Sequence, residues 1–192
     1  MSDMAIDLQP RRFTVDEYHR MAEIGIFASD ERVELIDGLV VEMSPIGSKH
    51  WRLHARLAEY LVKTLGDDAF IVPQGSFPLG THSEPQPDIA VLPRSETSGE
   101  GRVDPADILA VVEIAVSSLR TDTGPKLRVY ARARIADYLV VDVEADALLH
   151  YQDPNDIGYA TLRRLERGAA LRLSRLPQHE LAVEAFLPPT SP

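Results

Sequence analysis

The sequence predicts a single mixed α/β domain, in which a β-sheet is flanked by helices and extended by further antiparallel strands. Segments with helical periodicity, such as Ser48 to Leu65, alternate along the chain with short apolar segments typical of strands, such as Ile108 to Val116. The chain has 192 residues, 44% of them hydrophobic, which fits one core because cores larger than about 250 residues tend to divide. We therefore expect one domain over residues 1–192, with frayed ends at 1–12 and 188–192.

A short helix and a hairpin are predicted near the N-terminus. Thr14 and Glu17 have the spacing of a capping box, so a helix should begin there and end near Ile24. Asp37-Gly38 is a strong signal for a tight turn between two strands. We therefore expect two short strands around it, within Arg32 to Met43.

The clearest helix prediction covers Ser48 to Leu65. Leucines recur there at every fourth position, which places them on one face, and Gly66 follows as a stop. Three short strands are predicted after this helix, the first two of them paired with each other: Ala69 to Pro73, Gly75 to Leu79, and Ile89 to Leu92. Pro85 and Pro87 stiffen the approach to the third strand.

The second half of the chain is predicted to hold the centre of the sheet. Residues 94–104 are polar and contain glycine, which indicates a surface loop. Ile108 to Val116 is almost continuously apolar, as in a strand covered on both faces. Thr121 to Arg134 is expected to be a helix with Pro125 in its first turn. The remaining predictions are four strands and an apolar tail that packs back onto the domain: Tyr138 to Val143, Leu148 to Tyr151, Tyr159 to Leu165, Leu171 to Leu173, and Leu181 to Leu187.

Composition excludes several kinds of chemistry and of partner. The chain has no cysteine, which rules out disulfides, thiolate metal sites and cysteine nucleophiles and suits a reducing compartment. The longest apolar run, Ile108 to Val112, is far shorter than the ~20 residues that span a bilayer, and no signal-peptide pattern opens the chain. We therefore expect a cytoplasmic protein without a membrane partner. Its net charge of −10 argues against bulk attraction to nucleic acid and leaves a local basic groove as the way to hold one.

Three ionisable residues stand out as candidates for chemistry. Glu113 lies inside the most apolar predicted strand, where an ionised carboxylate is costly unless a positive charge compensates it. Asp88 stands at the mouth of a strand after a rigid segment, and Lys126 lies in the first turn of a predicted helix, where the helix dipole disfavours a cation. Each also has an ordinary interpretation: a strand-end acid that reaches solvent or pairs with an arginine, a turn aspartate, and a solvated lysine.

Taken in order, these three residues form a set with a recognisable chemistry. Two carboxylates on adjacent strands make a hard oxygen site suited to Mg²⁺ or Mn²⁺. A nearby lysine can orient an attacking water and offset the charge that develops on a phosphate. A glycosidase acid pair is less favoured because only 6% of the residues are aromatic, and a His50–His54 zinc site is less favoured because Trp51 stands where a zinc protease has glutamate.

Four segments together resemble a known family. They are Arg32-Val33-Glu34-Leu35-Ile36-Asp37-Gly38, Pro85-Gln86-Pro87-Asp88, Val112-Glu113-Ile114 with Ser117-Ser118, and Lys126-Leu127-Arg128-Val129-Tyr130-Ala131. This set resembles the Uma-type family of putative restriction endonucleases, within the PD-(D/E)XK nuclease superfamily, from about Phe13 to about Val143. The resemblance implies a restriction-endonuclease-like core, with a metal at the edge of a mixed sheet.

The resemblance also implies roles for individual residues. These are metal ligation by Asp88, Glu113 and the backbone carbonyl of Ile114, catalysis by Lys126, and an additional acid at Glu34. One position departs from the superfamily pattern, because Ala115 stands two residues after Glu113, where the lysine normally lies. The family resemblance answers this with Lys126, displaced onto the following helix.

The leading hypothesis is therefore a Mg²⁺- or Mn²⁺-dependent endonuclease that hydrolyses nucleic acid, with DNA as the expected substrate and a homodimer as the expected assembly. A local groove would hold the substrate backbone through scattered cations: Lys49, Arg52, Arg56, Arg128 and Arg132. The main alternative is a catalytically inactive binding or regulatory module on the same fold, motivated by Ala115 and by the acidic composition. A hydrolase of a small phosphate or sugar is a third hypothesis.

Overall fold

The computed structural model of the chain describes residues 10–44, 47–95 and 103–190. Its strands are β1 (Val33–Ile36), β2 (Leu39–Glu42), β3 (Ala69–Pro73), β4 (Ile89–Pro93), β5 (Ala110–Ala115), β6 (Asp137–Asp142), β7 (Ala147–Pro154), β8 (Tyr159–Leu165), β9 (Ala170–Leu173) and β10 (Leu176–Ala182). Its α-helices are α1 (Val15–Glu23), α2 (Ser48–Leu65), α3 (Leu119–Thr121) and α4 (Leu127–Arg132).

Six of these strands form one mixed sheet in the order β3-β4-β5-β6-β7-β8. The β5–β6 pair is parallel and the other neighbours are antiparallel. The strands β1 with β2, and β9 with β10, form two separate hairpins. With helices on its faces, this architecture confirms the predicted mixed sheet flanked by helices, with extra antiparallel strands.

The predicted N-terminal helix and hairpin are both present. The Thr14 hydroxyl accepts the Glu17 N–H while the Glu17 carboxylate accepts the Thr14 N–H, which are the reciprocal bonds of a capping box. Asp37 and Gly38 connect β1 to β2 with φ values of 49° and 75°, and a type I′ turn needs positive φ at both positions. Space also demands glycine here, since a Cβ on Gly38 would lie 2.6 Å from the Cβ of Arg12.

One face of the sheet is covered by α2, which has the predicted bounds. Its four leucines are buried in a core that the β9–β10 hairpin and the C-terminal segment complete: Leu53, Leu57, Leu61 and Leu65. Burying each leucine contributes about 1.5–3 kcal/mol, so the leucine periodicity is sufficient to dock this helix. Phe186 and Leu187 are fully buried in the same core, which confirms that the apolar tail packs back.

The other face is covered by the helical crossover between β5 and β6. A single α-helix from Thr121 to Arg134 is the wrong description of it, because α3 and α4 are joined by a π-helical turn, Asp122–Lys126. Pro125 lies inside that turn and has no N–H, so a regular i→i−4 ladder cannot continue there. The turn displaces the helix and, as shown below, positions Lys126.

One predicted strand is absent from the described chain. Residues 75–79 form no strand, and β3 pairs with β4 instead, with Ala69 opposite Pro93 and Pro73 opposite Ile89. The 75–79 segment is a loop that folds back on residues 83–85, through hydrogen bonds such as that from the Leu79 N–H to the Ser83 carbonyl. Its length lets the chain return so that residue 88 lies beside the end of β5.

The predicted frayed ends and the predicted loop over residues 94–104 fall partly outside the described residues, at 1–9, 96–102 and 191–192. Arg12 is held at this end, since its guanidinium donates to the Asp37 carbonyl. The Pro188 carbonyl likewise accepts a hydrogen bond from Arg167. Among the helices of the described residues, none combines the length and apolar character needed to cross a membrane.

Candidate active site

Asp88 and Glu113 meet where β4 and β5 separate. Ile89 and Val112 form the last pair at this end of the two strands, so the next residues lie beyond the ladder. There the Asp88 carboxylate accepts the Ile114 N–H, with an O···N distance of 2.7 Å, and the Asp88 N–H lies 3.4 Å from Glu113 Oε2. Beyond the last backbone pair, the two strands are thus joined by hydrogen bonds between carboxylates and backbone N–H groups. These bonds hold both carboxylates at one edge of the sheet.

Lys126 extends to two buried acids from the π-helical turn. Its Nζ lies 3.1 Å from Glu113 Oε1 and 3.0 Å from Glu34 Oε2, and all three side chains are buried. Burial by itself would lower the pKa of Lys126, but attraction to Glu113, Glu34 and Asp122 outweighs burial and raises that pKa. The ammonium is therefore charged at neutral pH.

The surroundings of Ala115 explain why this lysine comes from the helix. Ala115 is two residues after Glu113 and so on the same face of β5. It is 2% exposed, within an apolar cluster that includes Val129 and Tyr130 of α4. A lysine at this position would have to bury its stem and charge in that cluster. Lys126 lies one helical turn before Tyr130, on the crossover that covers this face, and its amine reaches Glu113 Oε1 beside the Tyr130 hydroxyl.

Glu113 is 3% exposed and has three hydrogen-bonding neighbours. The Tyr130 hydroxyl donates to its Oε1 at 2.8 Å, beside the Lys126 ammonium, while the Asp88 N–H faces its Oε2. Burial raises the pKa of Glu113 well above its ordinary value, and the Lys126 charge only partly opposes this. A further cation near Glu113 would therefore stabilise its ionised form.

Glu34 is the acid that the N-terminal hairpin contributes. It lies on β1, is 3% exposed, and its Oε2 accepts the Gln86 N–H at 3.2 Å as well as facing Lys126. This contact ties the hairpin to the segment that precedes Asp88. The four side chains implied by the family resemblance, together with Ile114, therefore come together from four separate parts of the chain: β1, the segment before β4, β5 and the crossover.

His50 and His54 contact Asp88 at this site, a role that the sequence did not indicate. The Nε2 atom of His50 lies 3.1 Å from both carboxylate oxygens of Asp88, and that of His54 lies 2.9 Å from the Asp88 carbonyl oxygen. The two rings are nearly parallel, with an interplanar angle of 10°. The sequence does show that the two histidines lie at i, i+4 on one side of a predicted helix. It does not show that this helix docks against Asp88.

Asp122 is a further acid that sequence reasoning missed. It is 2% exposed, lines the same cavity, and accepts a 2.6 Å hydrogen bond from the Ser118 hydroxyl. Burial raises the pKa of Asp122 to about 6, although attraction to Lys126 and the Ser118 bond oppose the rise. Nothing in the local sequence separates Asp122 from an ordinary acid in the first turn of a helix.

These groups surround a cavity of about 170 Å³, which also touches Gly47, just before α2, and His50 in the first turn of α2. Five of the lining residues are acids and two are cations: Glu34, Glu42, Asp88, Glu113 and Asp122, with Arg32 and Lys126. Negative charge therefore exceeds positive charge when all of them are ionised. Such an imbalance favours a bound cation.

The cations expected around a groove differ in exposure and in whether an ion pair or hydrogen bond already engages them. Lys49, Arg52 and Arg128 are exposed. Arg56 donates to the Leu187 carbonyl and Arg132 pairs with Asp37, so both are engaged in holding the fold. Arg32, which was not among the expected cations, lines the cavity and lies 3.4 Å from the Gln86 side-chain oxygen.

The donor atoms at this edge fit a hard divalent cation. Within the described ranges, no three or more histidine, aspartate or glutamate side chains are grouped to hold a metal by themselves. Mg²⁺, however, commonly binds through one or two carboxylates and keeps several waters. Asp88 and Glu113 supply two carboxylates, and the Ile114 carbonyl points to the same side of β5 as the Ile114 N–H that faces Asp88.

Comparison with known proteins agrees with this architecture. The chain resembles the crystal structure of a putative nuclease belonging to DUF820 from Anabaena variabilis ATCC 29413, with a TM-score of 0.70 and 15% sequence identity. The match covers 91% of this chain and 97% of that one, which establishes a shared fold. No curated protein matches the chain. A family model, Uma2, described as putative restriction endonuclease, matches residues 15–184. Because that match covers most of the sequence, this chain belongs to the Uma2 family of putative restriction endonucleases.

Proposed function

We propose that this protein is a Mg²⁺- or Mn²⁺-dependent nuclease that hydrolyses phosphodiester bonds of DNA. The observation that supports this most strongly is the meeting of Asp88, Glu113 and the Lys126 amine around one cavity, with Lys126 Nζ 3.1 Å from Glu113 Oε1. The description of the family as restriction endonucleases supports DNA as the substrate.

In this proposal Asp88, Glu113 and the Ile114 carbonyl hold the divalent cation. When bound, such an ion supplies a Lewis acid for the phosphate and favours deprotonation of an attacking water. Asp88 reaches this arrangement already oriented, since its carboxylate accepts the Ile114 N–H and contacts His50. Glu113 is oriented by the Tyr130 hydroxyl.

Lys126 acts as a charged donor in this mechanism. Because its pKa is raised, it retains its proton at neutral pH and is a poor general base. Its ammonium instead donates hydrogen bonds that orient the attacking water and stabilise negative charge as it grows on the phosphate oxygens. Glu34 and Glu113 together hold the ammonium in place, since both carboxylates lie within 3.1 Å of it.

The test is cleavage of supercoiled plasmid in Mg²⁺, Mn²⁺ or EDTA by four proteins: the wild type, Asp88→Asn, Lys126→Met, and the control Asp67→Asn. Asp67 is an exposed acid at the far end of α2, so its loss should leave cleavage unchanged. Wild type and control should nick or cut the plasmid only with metal, and the two site variants should be inactive. Equal cleavage by all four proteins would contradict the proposal.

One observation favours the inactive binding module as a second candidate. Lys126 already pairs with both Glu113 and Glu34, and no group of three metal-binding side chains exists among the described residues. Calorimetric titration with Mn²⁺ separates the two candidates, because the nuclease requires binding that Glu113→Gln abolishes. Absence of such binding would favour the module. The homodimer and the cytoplasmic location stay predictions, of which sedimentation at several protein concentrations tests the first.

A further inference from the structure

The N-terminal half of α2 is an exposed basic surface next to the cavity of an otherwise acidic protein. The chain contains 30 acids and 20 Lys and Arg residues, yet residues 43–58 contain no Asp or Glu. They do contain Lys49, Arg52 and Arg56. Of these cations, Lys49 and Arg52 are exposed, whereas Arg56 is held by the Leu187 carbonyl. These positive charges would therefore attract a polyanion that approaches the cavity.

Trp51 is the one tryptophan of the sequence and lies on this surface. It is 51% exposed, on the side of α2 away from the buried leucines. Gly47 lines the cavity, and Trp51 follows it by one helical turn, so both are on the same side of the helix. The backbone N–H of Trp51 donates to the Gly47 carbonyl at 3.2 Å. Trp51 therefore lies on the exposed surface of α2 beside the cavity, one turn from a residue that lines it.

The charge around Trp51 indicates what kind of ligand would cover it. The Arg52 guanidinium lies 5.3 Å from the centre of the indole ring, which places a cation beside an aromatic face. Aromatic rings interleaved with cations are how proteins bind unpaired nucleotides, since each base stacks and each phosphate is neutralised. A second copy of this chain fits less well, because a two-fold interface here would bring like charges together.

Resting on the proposed nuclease function, we propose that Trp51, with Arg52, forms a stacking surface for an unpaired nucleotide beside the scissile phosphate. A base inside an intact duplex has both faces covered by its neighbours and cannot stack on the indole. The preferred substrate is therefore DNA with single-stranded character at the cut site, such as a flap, a frayed end or a single strand. Fully paired DNA binds through its phosphates alone.

The lone tryptophan provides a direct measurement. The wild type in EDTA, where metal-dependent cleavage is absent, is titrated with a twelve-nucleotide single-stranded oligodeoxythymidylate and with a blunt twelve-base-pair duplex. The single strand should quench and shift the tryptophan emission, and the duplex should bind more weakly. Anisotropy of a labelled strand then gives the affinity of variants, including those without tryptophan. Trp51→Leu should weaken binding of the single strand by about 5- to 150-fold, while Trp51→Phe should retain most of it.

Two control variants lie at the other end of α2. Lys63→Ala removes an exposed lysine that pairs with Glu59, and Val62→Ala removes an exposed apolar side chain. Both should bind the single strand as the wild type does, whereas Arg52→Ala should bind it more weakly and with a smaller salt dependence.

Several outcomes would overturn the inference. Unchanged tryptophan emission on saturation with the strand, or equal affinity of Trp51→Leu and wild type, would remove the stacking role while leaving nuclease activity intact. Emission that changes with protein concentration alone, together with sedimentation as a dimer that Trp51→Leu dissociates, would assign the surface to a second copy. Failure of the wild type both to bind any DNA and to cut plasmid would instead refute the nuclease function itself.

Discussion

His50 and Asp88 are joined by a two-pronged contact, in which the Nε2 atom of His50 lies 3.1 Å from each carboxylate oxygen. The other ring nitrogen of His50 is buried and has no hydrogen-bond partner in the described structure. A buried N–H without a partner is costly, so the arrangement favours the tautomer with its proton on Nε2. His50 thus donates to Asp88 and acts as a positioning residue for a proposed metal ligand.

Loss of this donor should weaken metal binding. His50→Ala is expected to raise the Kd for Mn²⁺ by about 10- to 100-fold, the usual effect of removing a partner that orients a metal ligand. His50→Gln, whose amide can still donate, should recover part of the affinity. Calorimetry provides the measurement. His179→Ala is the control, because it removes a comparable histidine–carboxylate contact, to Asp68, far from the cavity. Equal loss in both alanine variants would contradict a positioning role.

Lys126→Met should separate catalysis from metal binding. Cleavage should fall by at least about 100-fold, since a charged donor to the phosphate is lost. Mn²⁺ binding should be retained or tightened, because the ammonium no longer competes for Glu113 and Glu34. Removing one partner of a buried ion pair costs about 3–5 kcal/mol, so the variant should be less stable and should gain more thermal stability from Mn²⁺ than the wild type does.

The measurements for Lys126→Met are plasmid cleavage, Mn²⁺ calorimetry and melting temperature with and without Mn²⁺. Lys63→Met serves as the control, because Lys63 is exposed and pairs with Glu59 on the surface. A folded Lys126→Met protein that binds no Mn²⁺ would show that the lysine is needed to arrange the carboxylates, and would refute the competition.

Asp122→Asn should stabilise the protein at neutral pH but not in acid. Burial raises the pKa of Asp122 from 3.8 to about 6, so the folded state binds its proton more tightly than the unfolded state does. The stability that comes from this tighter proton binding is fully present below pH 3.8 and is lost as the pH rises from there through about 6. Relative to wild type, the asparagine variant should gain up to about 3 kcal/mol at pH 7.5, at about 1.4 kcal/mol per pKa unit, and much less at pH 4.5.

Urea unfolding in EDTA at several pH values provides this measurement. The exposed Asp67→Asn serves as the control and should show no such trend. A difference between Asp122→Asn and wild type that stays constant from pH 4.5 to 7.5 would mean that the buried acid does not titrate in this range.

Gly38→Ala should destabilise the fold more than Gly25→Ala. Both glycines have nearly the same positive φ, 75° and 76°, which costs an L-residue about 1–2 kcal/mol. A Cβ on Gly38 would also lie 2.6 Å from the Arg12 Cβ, whereas one on Gly25 would meet nothing within 4 Å. Thermal or urea unfolding of the two variants compares strain alone with strain plus a clash. Equal losses would show that the Arg12 segment moves away freely.

Local features of the sequence were sufficient to predict several elements. The capping box of α1, the leucine spacing of α2 and the Asp37-Gly38 turn depend on residues within a few positions of one another. Glu113 was noticeable because a carboxylate inside an apolar strand is costly wherever the strand lies. The resemblance to the family then associated Glu113 with Asp88 and Lys126 as a candidate site.

Tertiary structure decided how these pieces meet. The pairing of β3 with β4 rather than with residues 75–79 depends on contacts across some twenty residues, which no local pattern specifies. The π-helical turn that carries Lys126 lies where Pro125 cannot donate, but the course of the chain there also depends on packing against the sheet. His50 and Asp122 belong to the site only because α2 and the crossover dock beside Asp88 and Lys126.

The physical reason for this division lies in the range of the interactions. Turn chemistry, capping and hydrophobic periodicity act between neighbours in sequence and can be predicted from it. The site is instead built from β1, the segment before β4, β5, α2 and the crossover, held together by burial and charge between residues far apart in the chain. The sequence by itself determined which residues could perform the chemistry, and packing decided which of them share one cavity.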